Sequence, residues 1–193
     1  MPHLVRPTVA ARDSYLAALD EFRAEGRLGD DETTGLGFDA RELARHDDFE
    51  TYVELLRQRA TEEGRRPEGW VPDTLLWFVD GGEWIGRLDI RHRLSPILLE
   101  IGGHIGYDVR PSKRRRGYAT EMLREALPIA ADLGINPALI TCDVANVASR
   151  KVIEANGGAL EDERAGKLRF WVSTSVMPAS DTSAVPSTWE GVR

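Results

Sequence analysis

Residues 110–120 read Arg110-Pro111-Ser112-Lys113-Arg114-Arg115-Arg116-Gly117-Tyr118-Ala119-Thr120, with five cations in seven positions. The chemistry such a run can do is hold an anion. A basic cluster by itself is most often a solvated loop. This one sits between an apolar, strand-like segment ending at Val109 and a helical pattern running from about Gly117 to Leu133. The first N–H groups of a helix lack intrahelical partners and carry roughly half a positive charge. Gly117 and the small Ala119 would let a ligand approach that backbone closely. Together these features predict a phosphate cradle flanked by arginines, in which each charge-assisted hydrogen bond contributes about 1.5–3 kcal/mol. The run has neither the Gly-Lys-Ser/Thr ending of a Walker loop nor the Gly-x-Gly-x-x-Gly of a dinucleotide fold.

The rest of the chain makes the cluster unusual. Of 193 residues, 25 are Lys or Arg and 32 are Asp or Glu, a net charge of −7; without the five clustered cations the balance is −12. Such a chain is a poor bulk binder of nucleic acid. No apolar run approaches the ~20 residues that span a bilayer, so no membrane partner is expected. Cys142 is the only cysteine, which excludes an internal disulfide and makes a cytoplasmic setting the default. It lies in an apolar segment without basic neighbours and reads as buried and inert. His3, His46 and His92 show no ligand spacing, so no metal is expected.

The elements that must position the cradle follow from periodicity. Helices are expected over 13–25, with Asp13 as N-cap, and over about 48–63, with Phe49, Tyr52, Val53 and Leu56 on one face. Residues 74–79 and 84–92 read as strands joined by a tight turn at Asp80-Gly81-Gly82. Residues 101–109 read as a third strand, 117–133 as a helix containing Pro128, 138–144 as a buried strand and 146–156 as a short helix closed by Gly157-Gly158. Strands near 159–163 and 168–172 complete the sheet. The order predicts an α/β (α+β) fold: a mixed, mostly antiparallel twisted sheet, helices on both faces and one central strand–helix–strand crossover. Residues 1–176 read as a single domain, and 177–193, rich in Ser, Thr, Ala and Pro, as a flexible tail.

Arg114-Arg115-Arg116-Gly117-Tyr118-Ala119 matches Arg/Gln-x-x-Gly-x-Gly/Ala. With HIGYDVRPS before it and TCDVANVASRKVIEANGG after it, the chain resembles the GCN5-related N-acetyltransferase (GNAT) family over about residues 5–175, and is similar to a bacterial subgroup of predicted acetyltransferases. The resemblance implies acetyl-coenzyme A as co-substrate, its pyrophosphate held by residues 114–120. It also implies pantetheine amides paired with the backbone of Tyr107, Asp108 and Val109, and an Asn146 amide on the pantetheine arm, alongside that residue's role as helix cap.

Transfer to an alkyl amine needs a base, because a group with a pKa near 10.4 is neutral in only about one molecule in 2,500 at pH 7, a cost of about 4.6 kcal/mol. The family's base position corresponds to His104, which suits neutral pH but reads equally as a hydrogen-bonded histidine inside a strand. Glu100 would act through water or be an exposed loop carboxylate. Asp108 would orient Arg110 or face solvent. The family's tyrosine acid, seven residues beyond Asn146, is absent, since Ile153 stands there. Ser149 is the substitute, unless it only caps the helix, with Tyr107 and Tyr118 as further candidates, although Tyr118 reads rather as packing beside the cofactor.

These readings imply an N-acetyltransferase that moves acetyl from acetyl-coenzyme A to a primary amine of a small molecule or peptide by direct attack in a ternary complex. The alternative is a coenzyme A-binding regulatory module with little catalysis. A monomer or a homodimer is expected. The carboxylates Asp30, Asp31, Glu32, Asp47 and Asp48 either favour a cationic acceptor or belong simply to the surface.

Overall fold

The computed structural model describes residues 1–27, 36, 38 and 40–175. The tail expected at 177–193 and the carboxylates Asp30, Asp31 and Glu32 lie outside the described residues. A short strand β1 (His3–Val5) precedes α1 (Arg12–Ala24), α2 (Ala40–Leu43) and α3 (His46–Gln58). Then come β2 (Asp73–Asp80), β3 (Glu83–Arg91), a π-helical turn (Leu98–Gly102), β4 (Ile105–Val109), α4 (Tyr118–Asp132), β5 (Ala138–Asp143) and α5 (Val147–Ala155). The hairpin β6 (Ala159–Arg164) and β7 (Lys167–Val172) ends the described chain's regular structure. Among the described residues no helix is long and apolar enough to cross a membrane.

The mixed, antiparallel architecture and the β4–α4–β5 crossover are those expected, but the strands form two sheets rather than one. The first runs β1-β2-β3-β4 and the second β5-β7-β6. Among the described residues a single bridge, Gly103 to Ile140, joins them. The strand read over 101–109 is correspondingly shorter, because residues 101 and 102 belong to the π-helical turn. The turn ends at Gly103, whose φ is +68° and where a Cβ would lie 2.5 Å from the Leu139 carbonyl oxygen. Only glycine allows the two chains so close. At the start of α1, Ala11 takes the N-cap position without a side-chain bond, and Asp13 instead lies in the first turn, where a carboxylate favours the dipole.

Helices cover both faces of the first sheet. Leu76 and Phe78 of β2 point towards Met122, Leu123 and Ala126 of α4, in a core shared with β5 and β7. Leu75, Trp77 and Val79 point towards α1 and α3, packing with Tyr15, Leu19, Phe49 and Tyr52. A strand buried on both faces reads as an unbroken apolar run, which is how TLLWFV appears in sequence. In β3 the register slips: Phe78 faces Gly86 whereas Val79 faces Trp84, leaving Ile85 as an extra residue. This bulge turns both Trp84 and Arg87, three positions apart, to the α1 side.

Candidate active site

A cleft of about 760 Å³ opens where the two sheets part beyond the Gly103–Ile140 bridge. Among the described strands β4 pairs only with β3, and β5 only with β7, apart from the bridge at Ile140. Because Arg110 N–H donates to Ile85 and Arg91 N–H to the His104 carbonyl, Gly106 and Asp108 between these rungs turn their backbone groups to β3. The backbone groups of Ile105, Tyr107 and Val109 therefore face the parted edge. The Val109 carbonyl accepts from Arg114 Nε at 3.0 Å, which leaves Tyr107 as the central exposed rung. Tyr107, Asp108 and Val109 all line the cleft.

The floor is the N-terminus of α4. Gly117 is its N-cap in the left-handed region, with φ +83° and no side-chain cap. Arg115 also has a positive φ of 63°. Two left-handed residues so close together turn successive N–H groups to one side, the backbone arrangement that collects anions. Space beside Gly117 is open to 4 Å in the direction a Cβ would take. Arg114, Arg115, Gly117, Tyr118, Ala119 and Thr120 line this end, whereas Arg116 is exposed and does not.

The five clustered cations do not act alike. Arg110 donates from Nε to Glu21 at 2.7 Å, Lys113 pairs with Glu83 at 2.6 Å, and Arg114 grips Glu25 with bonds of 2.8 and 2.9 Å. Burial pushes the Glu21 carboxyl up, but bonds from Ser112 and Arg110 outweigh it and hold that carboxyl below the usual range. Three of the five thus dock α1 and the β2–β3 hairpin against the loop. Among the described residues Arg115 and Arg116 have no ion pair, and Arg115 is the cluster's unpaired cation at the cleft.

Opposite the cradle, the Tyr107 and Ser149 hydroxyls lie 2.7 Å apart. Asn146 caps α5, its Oδ1 accepting from the Ser149 N–H at 3.0 Å, so the cap positions Ser149. Burial pushes the Tyr107 phenol up to about 12, against the bond to Ser149. Cys142 is buried, and burial followed by the Asp143 charge raises its thiol, which disfavours a nucleophilic thiolate.

Residues 30–159 match the acetyltransferase (GNAT) domain family. The chain belongs to the GNAT acetyltransferase family. No curated protein matches it in sequence. Among solved structures it is similar to Mycobacterium smegmatis RimJ in complex with CoA-disulfide, with 20% identity, 89% of this chain and 81% of that chain covered, and a TM-score of 0.59. It is also similar to the microcin C7 self-immunity acetyltransferase MccE in complex with acetyl-CoA and AMP, with 13% identity, 89% and 92% covered, and a TM-score of 0.58. A third is the Salmonella typhimurium acetyltransferase that modifies the N-terminal serine of ribosomal protein L7/L12, with 19% identity, 88% and 92% covered, and a TM-score of 0.52. At these identities the likeness is one of fold.

Several GNAT site expectations change in three dimensions. His104 does not line the cleft and is 9% exposed. Its Nδ1 accepts from the Leu139 N–H at 2.9 Å and its own N–H donates to the Leu139 carbonyl at 2.6 Å. Burial, and then the Arg91 charge, lower its pKa. Of the two readings open for His104, this geometry favours the structural one, because the lone pair a base would use is already engaged. Glu100 is exposed on the π-helical turn and pairs with Arg164 at 3.1 Å. Asp108 neither contacts Arg110 nor stands free; it receives two bonds from Arg27, of 2.9 and 2.6 Å. Ile153 is fully buried, so core packing occupies the position of the family tyrosine. Sequence reasoning missed Arg27, Asp143, Ala148 and Val152, which also line the cleft. Ala148 and Val152 were detectable as α5 residues spaced four apart on the face that carries Ser149.

Proposed function

We propose that this GNAT protein transfers the acetyl group of acetyl-coenzyme A to a primary amine of a small molecule or peptide, by direct attack in a ternary complex. The observation that carries this reading is the uncapped N-terminus of α4, with Gly117 at φ +83°, opening onto a cleft whose far wall holds the Tyr107–Ser149 hydroxyl pair. Coenzyme A fits this donor set: free N–H groups and Arg115 suit a pyrophosphate, and the Tyr107 backbone suits an amide. Two of the structures named above hold CoA-disulfide and acetyl-CoA, and a third acts on a protein N-terminus, which supports both the co-substrate and an amine acceptor.

Acetyl-coenzyme A supplies the acetyl group as a thioester; the remaining work falls to the chain. The Tyr107 N–H faces the cleft and is the donor positioned for a carbonyl oxygen. His104 lies outside the cleft, whose wall carries two carboxylates, Asp108 gripped by Arg27 and Asp143 paired with Lys167; the ammonium proton leaves through water to one of these carboxylates. The Tyr107–Ser149 pair donates a hydrogen bond to the departing sulfur.

Thiol release from acetyl-coenzyme A across a panel of amines, peptides and amino acids tests the reading, alongside calorimetric coenzyme A binding. Wild type binds coenzyme A and turns over; Gly117→Glu abolishes binding, because it strains the left-handed cap and sets a carboxylate in the cradle. Retained affinity in Gly117→Glu would show that the cradle is misassigned. Buried Ile153 in place of a tyrosine favours a second reading, a coenzyme A-binding regulatory module. Tight binding without turnover on any acceptor would select it.

A further inference from the structure

A second, smaller chamber of about 70 Å³ adjoins the cleft, lined by Tyr15, Leu19, Phe22, Trp84 and Arg87. Arg27 and Asp108 line both spaces, so their ion pair forms the wall between them. Three aromatic rings shape the chamber: Trp84 meets Tyr15 edge-on at 5.4 Å and Phe22 edge-on at 6.3 Å. Trp84 is 1% exposed, yet its indole Nε1–H has no hydrogen-bond partner among the described residues. A buried donor left without an acceptor costs about 1–3 kcal/mol, a cost that a ligand oxygen reaching it would relieve. Beside it, Arg87 is half-buried and makes no ion pair or hydrogen bond among the described residues. Arg87 faces Asp108 across the β3–β4 register, but that carboxylate is held by Arg27. The β-bulge at Ile85 is what brings Trp84 and Arg87 to the same side.

The chamber is therefore lined by two guanidinium groups, that of Arg27 paired with Asp108 and that of Arg87 unpaired, and by Trp84, whose buried indole donor has no partner among the described residues. This charge is opposite to that expected if surface carboxylates selected a cationic acceptor. A planar two-oxygen anion matches an arginine fork, with the indole N–H as a third donor. The volume suits such a small head and excludes a bulky one. Building on the acetyl-transfer reading above, we infer that the acceptor is an amine bearing a carboxylate, which Trp84 Nε1–H and Arg87 hold in this chamber so that the amine sits at the Arg27–Asp108 wall.

The test is a titration of the coenzyme A-saturated protein with propionate and with propylammonium, read at the Trp84 indole N–H by ¹H–¹⁵N correlation. Trp84→Phe assigns the resonance; if that variant does not fold, nuclear Overhauser contacts to Tyr15 and Phe22 assign it. Propionate is expected to shift the signal saturably and propylammonium not. Arg87→Gln should weaken propionate at least tenfold while coenzyme A affinity stays within threefold. Among acceptors that turn over, a carboxylate-bearing amine should exceed its carboxamide at least tenfold in kcat/KM. An equal response to propylammonium, unchanged propionate binding in Arg87→Gln, or equal rates for acid and amide would each overturn the inference. Loss of the acetyl-transfer reading looks different: coenzyme A would fail to bind, or would bind without turnover on any acceptor, while propionate still moved Trp84.

Discussion

The Tyr107 Oη and Ser149 Oγ atoms lie 2.7 Å apart, tying the edge of β4 to the first turn of α5 at the cleft. With its phenol pushed up to about 12 by burial, Tyr107 is a weaker acid than an alkyl thiol near 8.5. Moving its proton fully to a thiolate would cost about 4.8 kcal/mol. The pair therefore stabilises sulfur by donating a hydrogen bond, not by surrendering a proton. Such a bond contributes about 0.5–1.5 kcal/mol, which sets the scale of the first test.

Tyr107→Phe is accordingly expected to lower kcat about tenfold, with coenzyme A affinity within threefold and no change in the shape of the pH profile below pH 10. Ser149→Ala should cost a similar factor, and the double variant little more, since the two hydroxyls work as one donor. Single-turnover acetyl transfer measures this. An additive hundredfold loss, or a new pH-dependent limb in Tyr107→Phe, would mean independent acid roles.

The cradle was legible because all its parts are local in sequence: a strand end, a glycine, a helix start and arginines in one short stretch. Helix and strand types were legible for the same reason, through periodicity. What the cations do was not. Arg110 meets Glu21 from 89 positions away and Asp108 meets Arg27 from 81, and no local pattern announces such partners. The division into two sheets was hidden because Ile101 and Gly102 continue the apolar run of β4 although the backbone there forms a π-helical turn. The chamber was hidden by the bulge: with regular alternation Trp84 and Arg87 would point to opposite faces, and only the extra Ile85 aligns them.

His104 yields a pH prediction of definite sign. Its Nδ1 can accept from the Leu139 N–H only while the ring is neutral, and burial lowers its pKa below the ordinary 6.5. As pH falls through about 6.5 the unfolded chain binds a proton that the folded chain refuses, so stability present above that value is lost below it. The slope from one such group is at most about 1.4 kcal/mol per pH unit. His92, also lowered by burial, adds a similar loss. His104→Asn keeps an acceptor at the same branch and cannot titrate, so urea midpoints between pH 7 and 5 should fall less steeply than in wild type. Its activity should change by one factor at every pH; recovery at high pH would instead identify His104 as the base.

Arg59 and Asp73 tie the end of α3 to the start of β2 by two bonds of 3.0 and 2.8 Å, with side chains only 6% and 2% exposed. Burial pushes the Asp73 carboxyl up, and the Arg59 charge only partly opposes this, so the carboxylate depends on its partner. Removing one member of such a buried pair leaves an uncompensated charge and costs about 3–5 kcal/mol, whereas replacing both by apolar groups is often close to neutral. Arg59→Met should therefore lower the urea-unfolding free energy by about 3 kcal/mol or more, and Arg59→Met with Asp73→Leu should recover most of it. Arg59 also lies 5.5 Å over the Trp70 ring, a contact that methionine keeps in part through its polarizable sulfur. Equal destabilisation in the single and double variants would show that the pair acts through packing alone.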